Sequence, residues 1–352
     1  MIGNEQKILK KRRHTSLFIL LVLGLLLLIT ILSALGVVNQ YYQNVLMFMG
    51  INIIFSASLN IVNGYMGEFS CGHGGFMAVG AYASSFLSVI LFTANKITGT
   101  PLLPPSTAII LFPVVILFGG VISAFAGLIV AVPSFKTRDD YLAIITIAAN
   151  FIIVTAINNL EIVGGSRGFM GMKSAIYAME GLIPLPWMLI WIFIFTLLSV
   201  FVIRRLMSSV LGKGISAIRY DEVSAEIMSV NTNKMKLLAF MFSSGLAGIA
   251  GGLFAHVLGF INPSSFSIMK STEGLIMVYL GGMGSLSGSV LSAILMTILL
   301  ELLRPLQILK WVLIPLMLIL IMQFRPEGLL GNRELSDVFP KFRKLTGGKR
   351  NG

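Results

Sequence analysis

"TAIILFPVVILFGGVISAFAGLIVAV", residues 107–132, runs from end to end without an Asp, Glu, Lys or Arg. Roughly 20 apolar residues cross the hydrocarbon core of a bilayer as a helix, so this stretch is long enough to span one. It shows no strict alternation, and a membrane barrel strand would need alternation over about ten residues. Two further runs, 17–35 and 183–203, are equally free of charge. Across all 352 residues, 56% are hydrophobic and 11% charged, with a mean hydropathy of +0.91. A soluble domain carries about 25% charge. So little charge cannot cover a soluble body of this size, whereas a lipid-facing surface needs no such cover. The expected fold class is all-α, a polytopic transmembrane helical protein.

The net charge of +12 does not point to nucleic acid. Lys and Arg sit in short segments between apolar runs or at the two ends, as membrane topology requires, and no contiguous basic domain is present to follow phosphates. The single cysteine, Cys71, excludes an intrachain disulfide and a four-thiolate metal site.

Candidate spans are 17–35, 42–62, 70–92, 107–132, 140–160, 183–203 and 237–259, then a Gly-broken region at 272–303 and a last span at 309–324. Residues 1–16, with Lys7, Lys10, Lys11, Arg12 and Arg13, form a basic head ahead of an uncleaved first helix, expected in the cytoplasm. The loops 63–69, 133–139 and 204–236 then lie inside. Lys136 and Arg138 fall in the second of these, and Arg204, Arg205, Lys213, Arg219, Lys234 and Lys236 in the third. The long outside loops hold only Lys96, and Arg167 with Lys173. The basic tail 326–352 is expected inside too, so the transmembrane body 17–325 needs an even number of crossings. Breaking the chain at Gly281-Gly282-Met283-Gly284 gives ten. Eight with a re-entrant element satisfy parity equally, so the expectation is eight to ten spans in the plasma (inner) membrane, both termini cytoplasmic.

"GEFSCGHGGF", residues 67–76, places Glu68, Cys71 and His73 among glycines at the turn from the second span to the third. Glu68 and His73 are five apart with Gly72 between them, which is poor spacing for a shared ligand sphere. His14 and His256 are isolated, and no H-x-x-x-H or H-E-x-x-H occurs. No metal site and no catalytic set is expected. Ser70 is placed to cap the third helix, and small residues let membrane helices approach closely. A similar break recurs in "VYLGGMGSLSGSVLSAI", and paired broken helices mark the region where solute passes in many transporters. Ser70, His73, Gly74, Gly75, Gly281, Gly282 and Gly284 are therefore expected in helix packing or along a translocation path.

The loop 204–236 is the most soluble-looking stretch. Ile215, Ile218, Ala225 and Met228 recur near helical spacing, with Arg219, Asp221, Glu222 and Glu226 mostly on other faces, which fits an amphipathic helix or helix pair. Its polar side is mixed in charge rather than uniformly basic, which favours a partner's cleft over anionic lipid. No G-x-x-x-x-G-K-[ST] occurs, so any ATPase driving this chain is another chain.

Four segments carry a family likeness: "LNIVNGYMGEFSCGHGGFMAVGAYAS", "YLAIITIAANFIIVTAINNLEIVGGSRGF", "GKGISAIRYDEVSAEIMSVNTNKMKLLAFMFSSGLAGIAGGLFAH" and "INPSSFSIMKSTEGLIMVYLGGMGSLSGSVLSAI". Over roughly residues 40–330 the chain resembles the membrane permeases of bacterial ABC importers for branched-chain amino acids, specifically the second of the two permeases that pair there. The resemblance implies an ABC importer permease fold with broken Gly-rich helices. It also implies ATP-driven uptake of leucine, isoleucine or valine delivered by a periplasmic or extracellular solute-binding protein. The implied partners are a second homologous permease and two cytoplasmic ATP-binding subunits, which hold the ATP and Mg; this chain would bind no cofactor. Carried over, Gly214, Ala217, Arg219, Asp221, Glu222, Ala225 and Glu226 would form the contact with an ATPase. Gly164, Gly165, Arg167 and Gly168 match an external Gly-Gly-x-x-Gly motif, with Arg167 where smaller or acidic residues are more usual. Urea, amide and other amino-acid importers share much of the pattern. A secondary transporter would favour a charge pair deep in the spans, whereas Glu161, Glu180 and Glu273 sit near predicted ends.

Overall fold

The computed structural model describes residues 24, 26–93, 101–104, 107–136, 141–324, 327–331 and 334. The basic head 1–16 and the tail from 335 lie outside the described residues. The chain forms α1 (26–34), α2 (Gln40–Asn60, continued by a π-helical stretch Ile61–Met66), α3 (His73–Phe92), α4 (Ala108–Ser134) and α5 (Tyr141–Asn159). After these come α6 (Lys173–Leu182), α7 (Trp187–Ser208), α8 (Val210–Tyr220), α9 (Glu222–Ile227) and α10 (Thr232–Leu258). The last three are α11 (Ile268–Gly281), α12 (Leu286–Leu302) and α13 (Lys310–Phe324). Two short strands, β1 (Phe169–Met170) and β2 (Phe260–Ile261), pair antiparallel with Phe169 opposite Ile261.

Six helices among the described residues are long and apolar enough to cross a membrane: α2 with its extension, α3, α4, α5, α7 and α10. The Gly-broken region divides as expected, into α11 and α12 around residues 282–285. The layering is set by small residues rather than by hydrophobicity. The most apolar helix, α4, has a mean hydropathy of 2.6 yet is only 39% buried, and it turns Ile110, Phe125 and Ile129 outward. Helices α3 and α10, at 1.8, are mostly buried. Lipid tails are as apolar as Leu, so burial inside a membrane goes to the helices that pack closest. Ser123 of α4 shows the fit, its Oγ lying 2.8 Å from both Phe76 O of α3 and Ser244 O of α10.

At the crossing of α3 and α10, a Cβ on Gly80 would overlap the backbone of Gly248. Overpacking costs about 1–3 kcal/mol even where side chains can yield, and here the obstacle is main chain. Gly80→Leu is therefore expected to remove most of the monodisperse protein extractable from membranes. Gly181→Leu, whose Cβ would meet nothing within 4 Å among the described residues, is expected to keep the wild-type yield. Equal yields would show that the α3–α10 contact is not close-packed.

The start of α3 corrects one expectation. Gly72, not Ser70, is the cap residue, without a side-chain bond, and the buried Ser70 Oγ has no hydrogen-bond partner among the described residues. The cause is Asn63, whose side chain accepts from Ser70 N and donates to Ser70 O, both at 3.3 Å. This clamp holds the bend extended, so the helix begins three residues later. Ser271 of α11 takes over, accepting from Gly74 N at 2.8 Å. In the second break the local cap does form, with Gly288 N donating to Ser285 Oγ at 3.0 Å.

Candidate functional site

Helix α2 ends in two buried asparagines, costly in an apolar span unless satisfied. Asn60 reaches the second break: its Nδ2 donates to Ser285 O at 2.9 Å and to Ser289 Oγ at 2.8 Å, and its Oδ1 accepts from Gly284 N at 3.0 Å. Asn63 clamps the first break, as above. The π-helical turn between them places both asparagines at the point where the two Gly-rich breaks meet. The sequence reading missed both residues, although two amides within "LNIVNG" were a legible signal.

The segment 209–236 folds as a capped hairpin against this point. Ser209 Oγ accepts from Gly212 N at 3.3 Å to begin α8. Asp221 Oδ1 accepts from Val223 N at 3.0 Å and Ser224 N at 3.2 Å to begin α9, and Ser224 Oγ donates to Asp221 Oδ2 at 2.7 Å. The Ser224 hydroxyl, followed by the Ser224 N–H, holds the Asp221 carboxyl below the usual carboxylate range. This cap is complete above that range and is lost only as pH falls through the lowered value.

Arg219 lies between the two breaks. A Cβ on Gly67 would stand 2.9 Å from Arg219 Cγ, and one on Gly284 2.5 Å from Arg219 Nη1. Nη1 itself lies 3.5 Å from Met283 O. Beside it, Lys236 Nζ meets Glu68 Oε1 at 2.6 Å and Glu222 Oε2 at 2.8 Å. This ion triad joins the first break, α9 and the start of α10. Lys236 is only 7% exposed and sits 5.8 Å from the centre of the Phe135 ring. A cavity of about 460 Å³ opens beside the triad, lined by Gly67, Glu68, Phe69, Arg219 and Asp221 among others.

The charged coupling candidates are held by bonds within the hairpin and to its base, while Asp221 and Glu226 stay exposed. Glu222 binds Lys236, Glu226 accepts from Thr232 Oγ1 at 2.6 Å, and Asp221 caps its own helix. Gly214 packs at ordinary distance on Met235, Ala217 is half-buried with its carbonyl accepting from Asp221 N, and Ala225 is buried. Ile215 and Ile218 are buried as the periodicity predicts, but Met228 is 79% exposed. It ends the six-residue α9 just before Ser229 takes a left-handed φ of 62°, so the helical spacing no longer describes it. The outward side of the hairpin carries the apolar Tyr220, Val223, Ile227 and Met228 together with Asp221 and Glu226.

His73 sits deeper. Its Nε2 lies 3.3 Å from Ser58 Oγ and 3.2 Å from Ser243 Oγ. Those hydroxyls donate to Phe55 O and Ser58 O, so the network assigns the proton to Nε2, and His73 pins α2, α3 and α10 together. Gly74 and Gly75 back onto Ser271 and Asn150. Gly281 touches the Gly288 backbone, and Gly282, at a φ of 110°, faces Gly331 O. The chain returns here after α13: Leu329 N donates to Leu280 O at 2.8 Å, and Glu334 accepts from Leu286 N at 2.9 Å and Ser287 N at 3.1 Å. A carboxylate at a helix N-terminus is favourable. The hairpin and the segment after α13 thus meet at one end of the body. Gly164, Gly165, Arg167 and Gly168 lie at the opposite end, beside the β1–β2 pair, with Arg167 exposed and Gly168 against Phe260. Among the described residues, no group of three or more His, Cys, Asp or Glu is placed to hold a metal ion.

The site is thus a surface hairpin fastened to two helix breaks. Residues 41–322 match the family described as "Branched-chain amino acid transport system / permease component". The high-affinity branched-chain amino acid transport permease LivM of Escherichia coli is 33% identical over 304 residues, covering 80% of this chain and 68% of that protein. LivM of Salmonella typhimurium is 32% identical over the same shares. LivH of Escherichia coli is 24% identical over 312 residues, 83% of this chain and 96% of that protein. No solved structure matches significantly. The chain belongs to the family of branched-chain amino acid transport system permease components.

Proposed function

We propose that this chain is the membrane permease subunit of an ATP-driven importer in the plasma membrane, that it passes leucine, isoleucine and valine, and that its α8–α9 hairpin is the handle by which ATP-binding subunits move it. The observation that carries this reading is the double attachment of the hairpin, through Arg219 to both breaks and through Glu222–Lys236–Glu68 to the first. Tyr220, Val223, Ile227 and Met228 face away from the body and offer an ATP-binding subunit an apolar contact. A push on that face shifts residues 67–72 and 282–285, where α3 and α12 begin. The transport subunit forms and breaks no covalent bond. A second permease of the same family completes the path, and an external binding protein delivers the solute. Proteoliposomes holding the complete system test this. ATP-dependent uptake of branched-chain amino acids is expected. Uptake of urea or amides instead, or uptake without the ATP-binding subunits, would overturn it.

A further inference from the structure

A second cavity lies at the far end of α10 from the ion triad. His256 lines it and is twenty positions along the helix from Lys236, about 30 Å at 1.5 Å per residue. The cavity holds about 160 Å³ between the first turn of α2, α6, the start of α7 and the end of α10. A water's share of the liquid is about 30 Å³, so there is room for a small organic molecule.

Its lining combines two charges of opposite sign with apolar walls. Helix α6 brings Lys173 and Glu180 to the cavity, seven residues apart on one face, about 10 Å along the axis. Neither has an ion-pair partner among the described residues. The Lys173 stem lies across Gly259, where a Cβ would stand 2.5 Å from Lys173 Cγ, which fixes where the ammonium group emerges. Burial raises the Glu180 carboxyl above the usual carboxylate range. His256 donates from Nδ1 to Gly252 O at 2.7 Å, and its buried Nε2 has no partner among the described residues, which leaves an acceptor at the inner wall. Asn44 supplies an amide, and Met47, Ile176 and Leu189 supply apolar surface.

We propose that this cavity is a receiving site for one aliphatic amino acid bound as its zwitterion. The carboxylate lies toward Lys173, the ammonium toward Glu180, and the side chain against Met47, Ile176 and Leu189. This rests on the reading of the cargo as branched-chain amino acids, and it places a binding step within a single subunit, at the end of the body opposite the hairpin.

The test is equilibrium binding of tritiated L-leucine to the full chain in nanodiscs, without any soluble binding protein. Saturable binding is expected. L-Leucinamide, lacking the carboxylate, and 4-methylpentanoate, lacking the ammonium, should each compete about tenfold less well than leucine, the loss of one charge-assisted bond. Lys173→Met and Glu180→Gln should each weaken binding about tenfold as well, with Lys173→Arg restoring it. Absent saturable binding, equal competition by the amide and the acid, or unchanged affinity in both variants would overturn the proposal. Leucine uptake by the complete system is measured in parallel. Uptake without binding at this cavity removes the cavity alone, whereas failure to take up any branched-chain amino acid removes the functional reading.

Discussion

Lys236→Met is expected to leave little folded permease. The substitution keeps the stem and deletes a cation that two carboxylates share, at 2.6 and 2.8 Å. Glu222, with 36% of its side chain exposed, can turn to water, but Glu68, at 15%, cannot do so freely. Removing one partner of a buried pair costs about 3–5 kcal/mol, because the other charge is left uncompensated. The exposure of Glu222 places the loss toward the lower part of that range. The yield of monodisperse protein from membranes and its thermal midpoint should both fall, and Lys236→Arg should keep most of each. The double variant Glu68→Gln with Lys236→Met should recover part of the loss, since no stranded carboxylate remains. A single Lys236→Met chain as stable as wild type would mean that the triad contributes nothing to holding the hairpin.

Ile227→Asp is expected to act in the opposite way, sparing the fold and removing the partner. Ile227 is 77% exposed and Val223 66%. Four residues apart on a helix, they share one face. Exposed substitutions usually change a protein's own stability by about 0.5 kcal/mol or less. A charge placed in the centre of an apolar contact costs about 2 kcal/mol or more, near thirtyfold in affinity. The variant should purify like wild type while retaining at least about tenfold less ATP-binding subunit in pull-down. Were the α9 face lying on lipid instead, the variant would keep its subunits, and this result would contradict the proposed contact.

Much of the membrane body was legible in the sequence because hydrocarbon imposes a length rule that soluble cores do not. The uncharged run 107–132 reappears as Ala108–Ser134, and the glycines at 281–284 break the chain where parity asked for a break. Spacing also found the buried side of α8 through Ile215 and Ile218. It also found Ala225 on the buried side of α9, and departs only at Met228, beyond the end of that helix. The candidate charges Asp221 and Glu226 stay exposed, and so do the apolar Val223 and Ile227, which the spacing did not single out. Contacts across the chain were invisible. Nothing near Glu68 announces Lys236, nothing near Gly74 announces Ser271, and Glu334 lies beyond the last span, yet each pair meets within hydrogen-bonding distance. Local pattern reports on a helix's own faces; which faces meet is decided by close packing at residues such as Gly80 and Gly248.

The most direct test of transmission through the hairpin is the number of leucine molecules imported per ATP hydrolysed, measured in proteoliposomes with Glu68→Gln. This substitution leaves the Lys236–Glu222 pair at 2.8 Å intact, so the hairpin stays folded and its outer face unchanged, while its ionic tie to the first break is cut. ATP hydrolysis should continue and import should fall, lowering the ratio at least about tenfold, as for the loss of one buried charged bond. An unchanged ratio, with wild-type import and hydrolysis alike, would contradict the claim that motion of α9 reaches residues 67–72 through Glu68.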